Sequence, residues 1–401
     1  MKKLMLWAFA STAFFAAYAQ NDAEKDNPKL VKERQEKEKL KAEQDLKNDT
    51  IYTPVKMIAA TSVKNQAMTG TCWCFSSTSL LESQCLKYNF GEFDLSEMYT
   101  VRNTYIDKAK NYLMRQGHAQ FGEGGLGHDL INAVSKYGAV PESVYSGLKD
   151  GQTQHNHMKL VSDLKKYLDS LLKASTLPED WMKGYVKILD SSLGAPPQKF
   201  TYNGKEYTPK SFAADALHFN ADDYVYVTSF TDHPYYEPFI VQVPDNFSNG
   251  AYYNLPLEEM LQVTKDALNN GYSVLWDADV SNNGFQQRMG AAVNFNNLPA
   301  STTKKGDLIT GVAKDGKWDA EIRQKLYENL TTQDDHLMHI VGLEKSKNGS
   351  TFFRVKNSWG DIGPYHGYIN VSEGYFAINT ITLVIPKAAI NKKLLEKLKV
   401  K

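Results

Sequence analysis

The spacing of apolar residues predicts helices in the first half of this 401-residue chain. A pattern with helical period begins near Cys72. A second covers residues 130–137 and stops at Gly138, a residue type that often follows the last turn of a helix. Similar patterns cover residues 158–172 and 181–189. We therefore expect a helix-rich first half.

Strand patterns are concentrated in the second half of the chain. The strand-like runs cover residues 224–227, 239–243, 273–276, 336–343 and 351–356. The last two runs are joined through Asn348-Gly349, so they predict a β-hairpin. Residues from about 148 to 256 are rich in turns, Tyr and Pro, and we interpret them as an insertion or subdomain that elaborates a surface and could line or cover a cleft.

The first 52 residues lack a core-forming pattern. A short basic start and an apolar run predict a signal peptide over residues 1–19, cleaved before Gln20. An uncleaved membrane anchor is the alternative, but the run is shorter than the roughly 20 residues of a spanning helix. Residues 20–52 are dense in Lys, Glu, Gln and Asp, which indicates a charged helical or partly disordered arm. The folded domain is then expected over residues 53–401.

Charge and cysteine content narrow the function classes. Acidic and basic residues balance at 46 each, so neither nucleic acid nor an anionic membrane surface is expected as a partner. The three cysteines are Cys72, Cys74 and Cys85. On one helix Cys74 and Cys85 lie about 16 Å apart, whereas a disulfide needs Cα atoms within about 7 Å. We expect Cys74 to be a small core residue and Cys85 to be packing or a spare thiol.

The start of the first helix carries candidate chemistry. Cys72 follows a loop of small and polar residues, so its thiol lies at the positive end of the helix dipole, which favours the thiolate. Gln66, six residues earlier, could return its amide toward the sulfur and donate to a developing oxyanion. Trp73 could hold the loop against a neighbouring wall. The alternative is a buried structural cysteine beside a core tryptophan.

A second candidate feature is a glycine-rich turn, with four glycines among residues 122–127. One interpretation is a phosphate cradle, but neither a dinucleotide fingerprint nor a GKS/GKT element is present, so no cofactor is expected. Another is a bare backbone edge at Gly124-Gly125 that pairs with an extended peptide. A tight loop without a ligand is the third.

The predicted hairpin brings His336 and Asn357 toward one end of neighbouring strands. An imidazole that acts as base for a thiol needs a third group to fix its ring, and the Asn357 carbonyl could accept from it. Trp359 could shield that hydrogen bond from water. A metal site is not expected, because His336 and His339 are three apart on a strand and face opposite sides of the sheet.

Together these motifs resemble the papain superfamily of cysteine peptidases, in the family's chain order. The matching positions are Gln66, Cys72-Trp73, Phe75-Ser76, Gly124-Gly125, Asp335-His336 and residues 356–360. The resemblance implies an α+β, papain-like two-lobed fold, in which a helical lobe carries the cysteine and a β-rich lobe carries the histidine and asparagine. It also implies peptide substrates.

The resemblance further implies a role for each matching residue. Cys72 would be the nucleophile, His336 the general base and acid, and Asn357 the orienting residue. Gln66 and the Cys72 backbone N–H would form the oxyanion hole. The substrate-binding candidates are Gly124, Gly125, Trp73 and Trp359.

The spacing of the motifs narrows the family. His336 lies 264 positions after Cys72, compared with about 130–150 in papain itself. Residues 252–257 and 274–280 resemble the bleomycin hydrolase and aminopeptidase C branch. That branch implies an aminopeptidase, a carboxyl-terminal arm in the cleft and a ring-shaped homo-oligomer. Residues 394–401 form a basic tail that we expect to be too short for this arm, so an exported endopeptidase stays an alternative, as does a non-catalytic peptide-binding protein.

Overall fold

The computed structural model describes residues 51–149, 151–295, 308, 311 and 313–400. The predicted signal peptide over residues 1–19 and the charged arm up to residue 50 lie outside the described residues. In the part of the chain that is described, no helix is both long enough and apolar enough to cross a membrane.

Helices dominate the first half, as the apolar spacing predicts. They are α1 (Cys72–Lys87), α2 (Glu97–Met114), α3 (Gly127–Tyr137), α4 (Met158–Leu171), α5 (Trp181–Leu193) and α6 (Pro209–Asp215). The predicted start at Cys72 is confirmed, and α3 ends where Gly138 adopts φ 83°, a conformation that favours glycine.

Strands and the remaining helices follow in the second half, after β1 near the start. The strands are β1 (Tyr52–Met57), β2 (Phe200–Tyr202), β3 (Lys205–Tyr207), β4 (Tyr224–Thr228), β5 (Pro238–Ile240), β6 (Ala251–Asn254), β7 (Val274–Ala278), β8 (Phe285–Gln286), β9 (Ala291–Ala292), β10 (His336–Ser346), β11 (Thr351–Lys356), β12 (Tyr368–Ser372) and β13 (Thr380–Pro386). The later helices are α7 (Leu257–Asn269), α8 (Ala320–Glu328), α9 (Glu373–Asn379) and α10 (Lys392–Lys397).

Within the described ranges, eleven strands join in one sheet with the order β5-β6-β4-β13-β7-β10-β11-β12-β9-β8, and β1 pairs with β10. Strand β10 is the longest of them and is antiparallel to β7, β11 and β1. The predicted hairpin of β10 and β11 is confirmed, and Gly349 in its turn has φ 81°. Consequently the first residue of β10 and the last of β11 lie at the same edge of the sheet.

Two large apolar cores give the molecule its two lobes. One core is built by the helices of the first half, and the other lies between the sheet and helices α7 and α9. Helix α1 is buried from Cys72 to Cys85 and packs against α2, α3 and strand β10, so it lies where the lobes meet. The α+β, two-lobed architecture expected from the sequence is therefore present.

The segment from residue 148 to 256 is integrated into both lobes rather than forming a subdomain. Leu164 and Leu168 of α4 and Leu189 of α5 are fully buried in the helical core. Strand β4 pairs with β13, so β4, β6 and β5 extend the main sheet. The segment therefore adds to both cores, because its periodic leucines have partners elsewhere in the chain. Its interpretation as an insertion stays a prediction.

A substitution at Trp276 tests the packing of the sheet-lobe core. Trp276 is fully buried on β7, stacks on Phe376 with ring centroids 5.9 Å apart, and donates its indole N–H to Thr380 Oγ1 at 2.8 Å. We expect Trp276→Ala to lower the free energy of unfolding by about 3–5 kcal/mol in chemical denaturation, because it leaves a large cavity. Met158→Ala, at an exposed position of α4, is the control and should change it by less than about 0.5 kcal/mol. A loss for Trp276→Ala as small as that of the control would contradict this packing.

Candidate active site

Three elements bring the candidate catalytic residues to one edge of the sheet. Cys72 is the first residue of α1, His336 is the first residue of β10, and Asn357 directly follows β11. His336 Nε2 lies 2.7 Å from Asn357 Oδ1. Because that oxygen only accepts, Nε2 carries the proton and Nδ1 presents its lone pair. The neutral imidazole is thus in the tautomer that a base requires.

The Cys72 thiol faces the beginning of β10. The backbone of Leu337, the residue after His336, forms a hydrogen bond with this thiol. The side chain of Thr71 makes no capping hydrogen bond at the start of α1. The first backbone N–H groups of a helix have no partner within it, so the N–H of Cys72 is available to a ligand.

Burial sets the protonation of the Cys72–His336 pair. It raises the pKa of the thiol to about 12, a rise that the Leu337 hydrogen bond opposes and the charge of Asp245 reinforces. Burial also lowers the pKa of His336 to about 4, against the effect of its bond with Asn357. In this conformation the pair is a thiol and a neutral imidazole. The expected preference for the thiolate is reversed here, because burial outweighs the helix dipole.

The orientation of Asn357 depends on a residue that sequence reasoning missed. Its amide nitrogen donates to Gln287 Oε1 at 3.0 Å, so its oxygen must face His336. Gln287 lies in a turn between two very short strands, and no local motif marks it. The Trp359 ring lies 4.6 Å from the His336 ring and tilts by 30°, in a position to shield the His336–Asn357 hydrogen bond from water, as expected.

Gln66 lies near the candidate catalytic residues, but its side-chain amide already forms two hydrogen bonds within the protein. It donates to the Thr69 carbonyl at 2.7 Å and accepts from Ser358 Oγ at 2.6 Å. Its amide nitrogen bears a second hydrogen, which is available to an oxyanion. The structure therefore ties Gln66 to the segment after β11 that contains Asn357 and Ser358. Contact of Gln66 with a reacting oxygen stays a prediction.

Trp73 supports the glycine-rich turn. Its indole N–H donates to the Glu123 carbonyl at 2.9 Å, and the side chain is 1% exposed. A Cβ atom at Gly125 would approach the Trp73 ring to 3.1 Å, so glycine allows this close packing. Trp73 holds the loop, as expected. A direct contact between Trp73 and a substrate would require this packing to open.

The Gly124 edge is covered, which corrects the expectation of a bare backbone edge. A Cβ atom at Gly124 would lie 1.8 Å from Asp245 Oδ2, so the carboxylate occupies the space above this residue. Lys108 Nζ donates to the carbonyl oxygens of Gly122 and Gly124. The covering residue comes from the turn-rich segment, in which no pattern marks it. The carboxylates of Asp245 and Glu123 beside the loop disfavour a phosphate there.

The other thiols and possible metal ligands take no part in this site. Cys74 and Cys85 are free and fully buried, as expected for packing residues. Among the described side chains, no group of three or more His, Cys, Asp and Glu residues is arranged to hold a metal ion.

Comparisons with known proteins identify the family of this chain. A family model described as the Peptidase C1-like family matches residues 9–117 and 111–401. Aminopeptidase G of Lactobacillus delbrueckii subsp. lactis is 24% identical over 380 residues, which cover 82% of each chain. Bleomycin hydrolase of Mus musculus is 24% identical over 383 residues, covering 83% of this chain and 82% of that protein.

A solved structure shares the fold. PepW from Lactobacillus rhamnosis superposes with a TM-score of 0.68 at 22% identity, covering 86% of this chain and 84% of that one. The family model spans all of the described residues, including the helix start at Cys72 and the hairpin that brings His336 to Asn357. This chain therefore belongs to the Peptidase C1-like family and is a cysteine peptidase.

Proposed function

We propose that this peptidase releases residues from the amino ends of peptides through an acyl-enzyme on Cys72. The observation that carries the chemistry is the 2.7 Å bond between His336 Nε2 and Asn357 Oδ1, beside the helix start that presents the thiol. The amino-terminal preference is supported by relatives named aminopeptidase C, G and W.

The proposed reaction has two stages. His336 Nδ1 takes the Cys72 proton as the sulfur attacks the substrate carbonyl carbon, and the imidazolium then gives this proton to the leaving amine. The carbon–nitrogen bond breaks and a thioester remains. Water then loses a proton to His336 as it attacks the thioester, and the sulfur leaves with that proton. Asn357 holds the ring in one orientation through both stages.

Attack of the sulfur gives a tetrahedral intermediate whose oxygen is negatively charged. Hydrogen-bond donors that are already in place would stabilise this charge. The Cys72 N–H at the helix start and the second hydrogen of the Gln66 amide are the two candidates. Ser358, next to Asn357, donates to Gln66 Oε1 and so fixes the direction of that amide. The oxyanion donors and the base are thereby linked through neighbouring residues.

An endopeptidase is the second candidate, and one observation favours it. Residues 392–400 pack outside the site: Leu394 and Leu398 are buried in the sheet-lobe core, and Lys397 pairs with Glu259 on α7. The described end of the chain thus provides no arm across the cleft.

We also propose export through the signal peptide over residues 1–19, which would leave no membrane anchor on the mature chain. Amino-terminal sequencing of protein secreted by a host cell should give Gln20 as the first residue, and a start at Met1 would contradict export by this route.

The likeness to the ring-forming branch further suggests a homo-oligomer, which light scattering of the purified protein would detect.

The nucleophile is tested by Cys72→Ala. We expect turnover of a fluorogenic peptide to fall by at least about 1,000-fold, because no other group supplies the acyl-enzyme. Cys85→Ala removes another buried thiol from the same helix and should retain most of the activity. Undiminished turnover by purified Cys72→Ala would end the proposal.

Aminopeptidase and endopeptidase activity are separated by one pair of substrates. A peptide with a free amino terminus should be hydrolysed, whereas the same peptide with an acetylated terminus should be cut at least about 100-fold more slowly, as loss of one charged recognition contact or a steric clash would give. Mass spectrometry should show release from the amino end of the free peptide. Equal rates on the two peptides, with internal cuts, would instead establish the endopeptidase.

A further inference from the structure

Asp245 is held at the candidate active site by its own turn and by the glycine-rich loop. It follows β5, and the next residue, Asn246, donates to the carbonyls of Val241 and Gly250 at 2.9 Å, which closes the turn. Gln120 Nε2 donates to Asp245 Oδ1 at 3.0 Å, and Oδ2 lies over Gly124. The half-buried carboxylate is therefore fixed in place.

This carboxylate lies between the two walls of the site. On the helical side it rests on Gly124. On the sheet side the Asp245 backbone forms a hydrogen bond with the carboxyl group of Asp334, which precedes His336 by two residues. Its negative charge acts on the Cys72 thiol, raising the pKa of that group. Asp245 thus lies between the Gly124 loop and the segment that precedes His336.

The carboxylates at this position lack a direct ion pair to any residue that the structure describes. Among the described residues, no Lys, Arg or His forms an ion pair with Asp245, Asp334 or the neighbouring Asp277. The nearby Lys108 ammonium donates to glycine carbonyls, and its charge opposes the rise in the pKa of Asp245 that burial causes. Asp277 is 1% exposed, its carboxyl faces that of Asp334, and its Oδ1 has no hydrogen-bond donor within the described part of the chain. Buried carboxylates of this kind gain from a bound cation.

A cavity of about 350 Å³ with both aromatic and polar walls is lined in part by Asp334 and by Pro244, the residue before Asp245. Phe230, Phe239 and Tyr327 contribute its aromatic walls. An amino-terminal residue carries its ammonium group and its side chain on the same carbon atom. A carboxylate near a cavity with aromatic walls matches that pair of groups.

We propose that the Asp245 carboxylate binds the α-ammonium group of the substrate, with the first side chain in the aromatic cavity. Because the same carboxylate fills the space above Gly124, a chain that extends past the ammonium group has no room there. An extended residue advances the chain by about 3.3–3.6 Å, so a fixed anchor over Gly124 limits the number of residues that each cut releases. The inference rests on the proposed aminopeptidase function and names its recognition group.

The test compares Asp245→Asn and Asp245→Ala with the full-length wild-type enzyme. The substrates are a phenylalanyl fluorogenic amide with a free amino group and its N-acetyl form. We expect Asp245→Asn to lower kcat/KM on the free substrate by about 10- to 100-fold, mainly through KM, as loss of a charged hydrogen bond gives. The acetylated substrate should be unaffected by Asp245→Asn and cut faster by Asp245→Ala, which also removes bulk.

The matched control is Asp222→Asn, an exposed carboxylate in the same segment, which should leave both rates unchanged. Rates are divided by the fraction of Cys72 that an epoxide inhibitor titrates, and the ratio between substrates is compared, so a partly unfolded variant still gives an answer. Equal losses on both substrates, or an unchanged ratio, would overturn the proposal.

Two further outcomes are distinguishable. A second pair of substrates, acetylated lysyl and acetylated norleucyl amides, differs only in the side-chain ammonium. If Asp245→Asn selectively weakens cleavage of the lysyl member of this pair, the site binds a side-chain ammonium and the proposal is wrong. If the wild-type enzyme cuts the free and acetylated substrates equally, the aminopeptidase function itself fails. If the wild-type enzyme prefers the free substrate and both Asp245 variants keep this preference, only the role of Asp245 is overturned.

Discussion

The contact between helix α1 and strand β10 is the constraint on which the site depends. The thiol stands at the first residue of the helix and the imidazole at the first residue of the strand, so their meeting requires the two elements to pack along their lengths. A polar network fixes that packing: Lys356 Nζ donates to Ser79 Oγ at 2.7 Å, and this hydroxyl lies 2.9 Å from His339 Nδ1. Small hydroxyl residues on α1 permit the close approach of the strand.

Burial of the same contact determines the electrostatics of the site. The interior disfavours charge on both Cys72 and His336, which keeps the pair neutral in this conformation. It also raises the pKa of Asp334, to about 7. In the proposed complex the ammonium group of the substrate would lie beside Asp245, and its charge would offset the effect of that carboxylate on the developing thiolate.

Local patterns were sufficient to predict the parts of this structure that depend on neighbouring residues. The start of α1 at Cys72, the hairpin and the meeting of His336 with Asn357 follow from apolar periodicity and one turn. Contacts between distant segments were not predictable: nothing near Gln287 or Asp245 indicates that these residues fold onto Asn357 and Gly124. The same limit applies to the pKa of the Cys72 thiol. The helix start, which favours the thiolate, is a local feature of the sequence, whereas the burial that raises this pKa depends on distant segments.

The close approach of Asp245 to Gly124 couples two segments that are far apart in the sequence. A methyl group at residue 124 and the carboxylate at 245 cannot both keep their present positions. Even alanine at 124 would displace the carboxylate from its position over the loop. In the proposed complex this glycine therefore keeps the anchoring carboxylate in place, and a single substitution at residue 124 would shift the enzyme from trimming chain ends toward cutting within chains.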